Sequence, residues 1–182
     1  HEAGHATASW MLEHAAPLVK VTIVPRGLSL GAAWYLPEER QIIQSEQMLD
    51  EMCATLAGRA AEKIIFDKIS TGALNDLEKI TRQARAMVTV YGLNDKISEI
   101  IETQYQRAIK ILTDNKDKLI ILAELLLEKE VIFKKDLEVI FGKNPFYKEE
   151  EPKKVIEDKS EEKLAKKSEK KSEIENSSKT KE

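Results

Sequence analysis

The sequence opens on His1-Glu2-Ala3-Gly4-His5, which places two imidazoles four residues apart with a carboxylate beside the first. On a helix, residues i and i+4 share a face about one turn apart, so both rings can reach one divalent ion. Neutral imidazole nitrogens suit zinc at roughly 2.1 Å, and a carboxylate that stays off the metal can take the proton of a metal-held water. The chemistry such a set supports is hydrolysis. The plainer alternative is a helix with two solvated or hydrogen-bonded histidines and a glutamate that merely suits the helix N-terminus. Chance produces the pentapeptide in roughly one chain of this length in a couple of hundred, so it needs support from the rest of the sequence.

A catalytic zinc commonly takes three protein ligands. His14 is the one other histidine, and nine residues beyond His5 it falls on a different side of the helix, as a surface histidine would. Carboxylates remain. Asp76 follows Thr71-Gly72-Ala73 and belongs to the inward stripe of Ile80, Ala84 and Met87, where an unpaired carboxylate is costly and a metal would relieve the cost. It also reads as an ordinary first-turn acid favoured by the helix dipole. Glu62 competes for the same role, although Arg59 three residues earlier offers it a simple ion pair.

The elements that must position these groups are mainly helical. His1 to His14 reads as a helix of good formers closed off by Pro17, and Lys20-Val-Thr-Ile-Val24 is a β-branched run too short for one. Pro25-Arg26-Gly27 has turn chemistry, and Gly31 to Leu36 can return as a second strand, giving a small antiparallel hairpin or sheet edge. Ser45 is the expected N-cap of a helix whose buried face is Leu49, Met52, Cys53, Leu56, Ala60 and Ile64. A further helix starts near Asn75, buries Leu77, Ile80, Ala84, Met87, Val88 and Tyr91, and ends where Gly92 serves as a left-handed C′ residue. From about Ile101 to Phe141 the periodicity predicts two or three more amphipathic helices.

Composition divides the 182 residues unevenly. Beyond Tyr147 no aromatic residue occurs, and the stretch is largely Lys, Glu, Ser and Asp, too polar to offset the entropy of ordering it. The expected organisation is a globular domain over 1–146 and a disordered charged tail over 147–182. A formal net charge of −3 gives no drive toward nucleic acid. The single Cys53 excludes an internal disulfide and reads as a buried structural thiol in a reducing compartment. No run of about 18 apolar residues exists to span a membrane.

Six motifs then occur in the order seen in the peptidase domain of FtsH-type proteases. They are His1-Glu2-Ala3-Gly4-His5, Val21-Thr22-Ile23-Val24-Pro25-Arg26-Gly27, Leu36-Pro37-Glu38-Glu39, Ala57-Gly58-Arg59-Ala60-Ala61-Glu62, Thr71-Gly72-Ala73-Leu74-Asn75-Asp76-Leu77, and Met87-Val88-Thr89 with Tyr91-Gly92. The chain resembles that family sharply over its first hundred residues and less sharply to about Phe146. The resemblance implies a mainly α metallopeptidase domain with Zn²⁺ held by His1, His5 and Asp76, and Glu2 as the catalytic glutamate. It further implies polypeptide substrates, a homo-hexamer, and a AAA+ module that uses ATP. Membrane-anchoring helices would place the parent on the cytoplasmic face of a bacterial-type inner membrane. The strand around Ala32 to Leu36 resembles the edge on which an extended substrate is held by main-chain pairing.

Neither an ATPase module nor a transmembrane helix lies within this sequence, and the turns that precede the catalytic helix in that family are missing, so a piece of a longer protein is expected. Between Gly92-Leu93-Asn94 and Tyr105-Gln106-Arg107 the family carries a longer segment. Two rival readings are a non-catalytic helical assembly module and a metal hydrolase acting on something other than peptides. The intact His, Glu, His and Asp set argues against the first, and the five other motifs against the second.

Overall fold

A computed structural model describes residues 1–25, 27, 30–36 and 42–146. The elements run α1 (Glu2–Met11), β1 (Leu18–Thr22), β2 (Ala32–Tyr35), α2 (Ser45–Phe66), a 3₁₀ turn (Thr71–Ala73), α3 (Leu74–Thr89), α4 (Ile97–Asp114), α5 (Lys116–Lys129), β3 (Val131–Phe133) and α6 (Lys134–Phe141). The expected mainly helical architecture with a small antiparallel sheet is what is found. The charged tail over 147–182, the turn residue Arg26 and the Pro37-Glu38-Glu39 motif lie outside the described residues.

Helix α1 is the axis of the fold. Every residue from Ala3 to Trp10 is buried, because α2, α4, α5 and the β1–β2 pair surround it. Small side chains make that possible: Ala6, Thr7 and Ala8 are fully enclosed. The closest approach is to α2, where a Cβ on Gly4 would lie 2.5 Å from the Ala57 carbonyl oxygen and 2.7 Å from the Ala61 Cβ. Gly4→Ala is therefore expected to destabilise the protein by up to about 2 kcal/mol, since an overpacking cost of about 1–3 is offset by a gain of about 1 in helix propensity. Denaturant unfolding of the metal-free protein checks this.

Helix α1 is shorter than the sequence suggests. It ends at Met11, and Leu12 turns extended (φ −102°, ψ 133°) so that its side chain drops into the core at 2% exposure. Asp50, buried at 3%, accepts a hydrogen bond from the His14 N–H at 2.9 Å and another from Arg107 at 2.6 Å. That pair ties the exit of α1 to α2 and α4. The cap of α2 is Gln44, one residue before Ser45, with its N–H bonded to the Gln47 side chain at 3.1 Å. Gly92 has the left-handed backbone expected of it (φ 62°), and the Leu93 N–H closes on the Met87 carbonyl at 2.8 Å.

The sheet has one strand more than the expected hairpin. Its order is β2-β1-β3, with β1 pairing antiparallel to both neighbours. Val131–Phe133 lies within the stretch read as two or three helices, where no strand was expected; Glu130 adopts a left-handed conformation (φ 59°) and stops α5 without a glycine or proline to signal it. The payoff is burial: Ile132 faces Val21 across the ladder, and both are fully enclosed. Cys53 is likewise buried, and burial pushes its thiol up to about 12, consistent with a structural role.

Candidate active site

The first turn of α1 opens onto a cleft of about 760 Å³ whose lining includes His1, Glu2, His5, Asp76, Ala33 and Tyr35. His1 is locked into that turn, because its carbonyl accepts the Gly4 and His5 N–H groups at 2.9 and 3.2 Å. One turn apart, the His1 and His5 rings stand edge to face with centroids 4.7 Å apart. The 3₁₀ turn Thr71–Ala73 then leads into α3, and this brings Asp76 from a distant stretch of chain to face both rings. Its Oδ2 lies 3.1 Å from His1 Nε2 and 3.4 Å from His5 Nε2. One ligand atom from each of these three residues falls within 4.8 Å of the others, the one such cluster among the described residues.

Helix α2 fixes the far side of both rings. His5 Nδ1–H donates to the Ala54 carbonyl at 2.9 Å, and since a carbonyl only accepts, Nε2 is the nitrogen left with a lone pair in the neutral ring. His1 Nδ1 donates to Glu62 Oε1 at 2.7 Å. The other oxygen of Glu62 accepts from the Ser70 N–H at 3.0 Å and the Ser70 hydroxyl at 2.9 Å. The donor set therefore has zinc chemistry: two imidazole Nε2 atoms and one carboxylate oxygen converge, each imidazole oriented through its opposite nitrogen.

Hydrogen bonds couple the charges of these groups. The hydrogen bond with Asp76 is the largest influence on His1 and, with Glu62 and against burial, raises it to about 9. Burial pushes the Asp76 carboxyl up, but hydrogen bonds and charge from His1 and His5 outweigh it and hold the group well below the usual range. Burial also acts on Glu62, which the His1 and Ser70 hydrogen bonds bring below its ordinary value.

Glu2 differs from its neighbours. Burial raises its carboxyl, and the opposing charges of His5 and His1 do not cancel the effect. A desolvated carboxylate of this kind is a stronger base than a solvated one. Gly31, at the entry to β2, packs directly on it: a Cβ there would meet Glu2 Cγ and Oε1 at 2.7 Å. Strand β2 is an edge of the sheet. Its end is tied down by the Leu36 N–H on the Pro17 carbonyl at 2.8 Å and by Tyr35 Oη against Ser9 Oγ at 3.0 Å.

Of the residues singled out from sequence, His1, Glu2, His5 and Asp76 are brought together, and His14 is held away at Asp50. Glu62 reaches the site through the back of the His1 ring instead of facing the cluster. Its bond to His1 spans sixty-one residues and has no local signature, since spacing along the helix offered Arg59 as its partner. Ala54, Gly31 and the Ser9–Tyr35 pair had no chemical type to mark them.

Two histidines one helical turn apart, a carboxylate facing both and a glutamate next to the first are residue types suited to metal-assisted hydrolysis. The family model for peptidase family M41 matches residues 1–101, and the chain belongs to that family. It is 53% identical to an ATP-dependent zinc metalloprotease FtsH of Parabacteroides distasonis, across 79% of this chain and 25% of the relative. Against the FtsH of Karelsulcia muelleri the identity is 50%, across 75% and 27%. Against the mouse mitochondrial inner membrane m-AAA protease component AFG3L2 it is 41%, across 80% and 22%. The chain thus spans about a quarter of the length of the curated relatives it matches. The first alignment runs over 174 positions but covers 79% of this chain, so the relative carries residues that this chain lacks. Among the described residues no helix is long and apolar enough to cross a membrane.

Proposed function

We propose that the chain is the peptidase part of a zinc-dependent endopeptidase, with His1, His5 and Asp76 holding one Zn²⁺ and Glu2 as the proton-transferring base. The observation that carries this reading is the convergence of the three donor atoms within 4.8 Å of one another beside a half-buried glutamate. Zinc bound there would supply Lewis acidity, making a water more acidic and a carbonyl more electrophilic. Glu2 takes the proton of the attacking water and returns it to the leaving amine, as base and then acid. The free edge of β2 holds an extended substrate by main-chain pairing, which places a scissile bond along the wall that Gly31 shares with Glu2.

Substrates are unfolded or loosely folded polypeptides, since an edge strand reads backbone more than side chains. The names of the relatives support ATP dependence and, for the mouse protein, an inner-membrane setting. In this reading a AAA+ module elsewhere in the full-length protein unfolds substrates with ATP. Anchoring helices hold it at the cytoplasmic face of a membrane, six copies form the working ring, and residues 147–182 form a charged tail after the peptidase body of 1–146. The assembly-module alternative has no observation in its favour.

Metal removal tests the proposal. The full-length protein is expected to hold one zinc per chain and to lose degradation of an unfolded protein on dialysis against a chelator, with recovery on adding back zinc. Full activity in verifiably zinc-free protein would refute it.

A further inference from the structure

The stripe of α2 that faces α1 contains Ala54, Gly58 and Glu62, each four residues from the next. The outer two orient the two imidazoles through their Nδ1 atoms, at 2.9 Å for Ala54 O and 2.7 Å for Glu62 Oε1. Gly58 stands between them, under both rings. A Cβ on Gly58 would lie 2.6 Å from His5 Nε2, 2.7 Å from His1 Nε2 and 2.8 Å from His1 Cε1. Unstrained contact to carbon needs about 3.5 Å. The two nitrogens met first are the two that face Asp76.

We propose that Gly58 is a positioning residue of the metal site, its missing side chain leaving His1 and His5 Nε2 the common space that an ion needs. This rests on the assignment of His1, His5 and Asp76 as zinc ligands. Backbone conformation does not call for glycine at this position, which lies inside α2 and is not among the positive-φ glycines. Nor does helix packing, because the tight α1–α2 contact falls at Gly4 against Ala57 and Ala61, whereas the three atoms nearest Gly58 all belong to imidazole rings. The neighbouring positions Ala54, Ala57, Ala60 and Ala61 show that a methyl is accepted elsewhere along this part of the helix. Glycine is the poorer helix former, so its presence in a buried turn of α2 is accounted for by the rings above it.

The test compares the wild-type chain with Gly58→Ala by zinc and cobalt(II) titration, cobalt d–d absorption, and unfolding of the metal-free proteins. The expected result is metal affinity weakened at least tenfold and on the order of a hundredfold, an altered cobalt spectrum, and metal-free stability equal to or above wild type, because ring tips can swing aside where a backbone could not. Zinc affinity within threefold of wild type would overturn the proposal. So would a metal-free variant that unfolds more readily, since that result assigns Gly58 to packing. A wild-type chain that takes up no zinc would instead overturn the ligand assignment beneath it.

Discussion

Glu2→Gln is expected to lower turnover of peptide bonds by about 10²–10⁴-fold while leaving one zinc per chain in place. The substitution is nearly isosteric, so Gly31, whose backbone packs on the Glu2 side chain, meets the same volume. What changes is the ability to accept a proton. Burial raises the Glu2 carboxyl against the pull of His5 and His1, which suits it to taking a proton and then giving it up; an amide does neither. Glu2 is also absent from the three-residue cluster that converges on Asp76, so metal uptake has no reason to follow it. Hydrolysis of an unfolded substrate by the full-length protein, with zinc measured on the same samples, separates the two effects. Activity within twofold of wild type would remove Glu2 from the mechanism, and a variant that loses zinc in parallel would make it a ligand.

Asp76→Asn is expected to abolish stable zinc binding, and with it activity. Asp76 is the group that places negative charge against both Nε2 atoms, at 3.1 and 3.4 Å. Asparagine keeps the shape and withdraws the charge, leaving a neutral oxygen that is a far weaker partner for a divalent cation. Glu62→Gln provides the internal comparison. Its carboxylate contacts His1 from the opposite ring nitrogen, so the variant is expected to retain zinc with affinity reduced about 10–100-fold. Zinc retained after gel filtration reads both. The reverse order, with Glu62→Gln metal-free and Asp76→Asn loaded, would exchange the roles of the two carboxylates.

The contrast between those two residues also marks how far the sequence could be read. His1, Glu2 and His5 were legible because one helical turn fixes their relation, whatever surrounds α1. Asp76 stood out as a candidate because an acid on the stripe of Ile80, Ala84 and Met87, all three of them enclosed, is costly without a partner, although the helix dipole alone accounts for a first-turn acid equally well. The contacts of Glu62 were not legible, because local spacing offered Arg59 while the carboxylate in fact bonds His1 and Ser70. Glycines 31 and 58 were silent for a different reason: a glycine reports that no side chain is present, and the fold alone decides what occupies the room. Strand β3 was hidden by its length, three residues that blend into a leucine-rich helical rhythm and are ordered by pairing with β1 more than a hundred residues earlier.

That pairing has a mechanical side. Strand β1 is clamped between β2 and the C-terminal β3, and all its ladder bonds run across the strand direction. Were a polypeptide tugged lengthwise along β2, as proposed for the substrate, those bonds would be loaded in shear, where several must yield together instead of opening one at a time like a zipper. Val21 and Ile132 face each other across that ladder, and β3 packs on α5 and α6, so the sheet is braced by elements about a hundred residues further along the chain than β2.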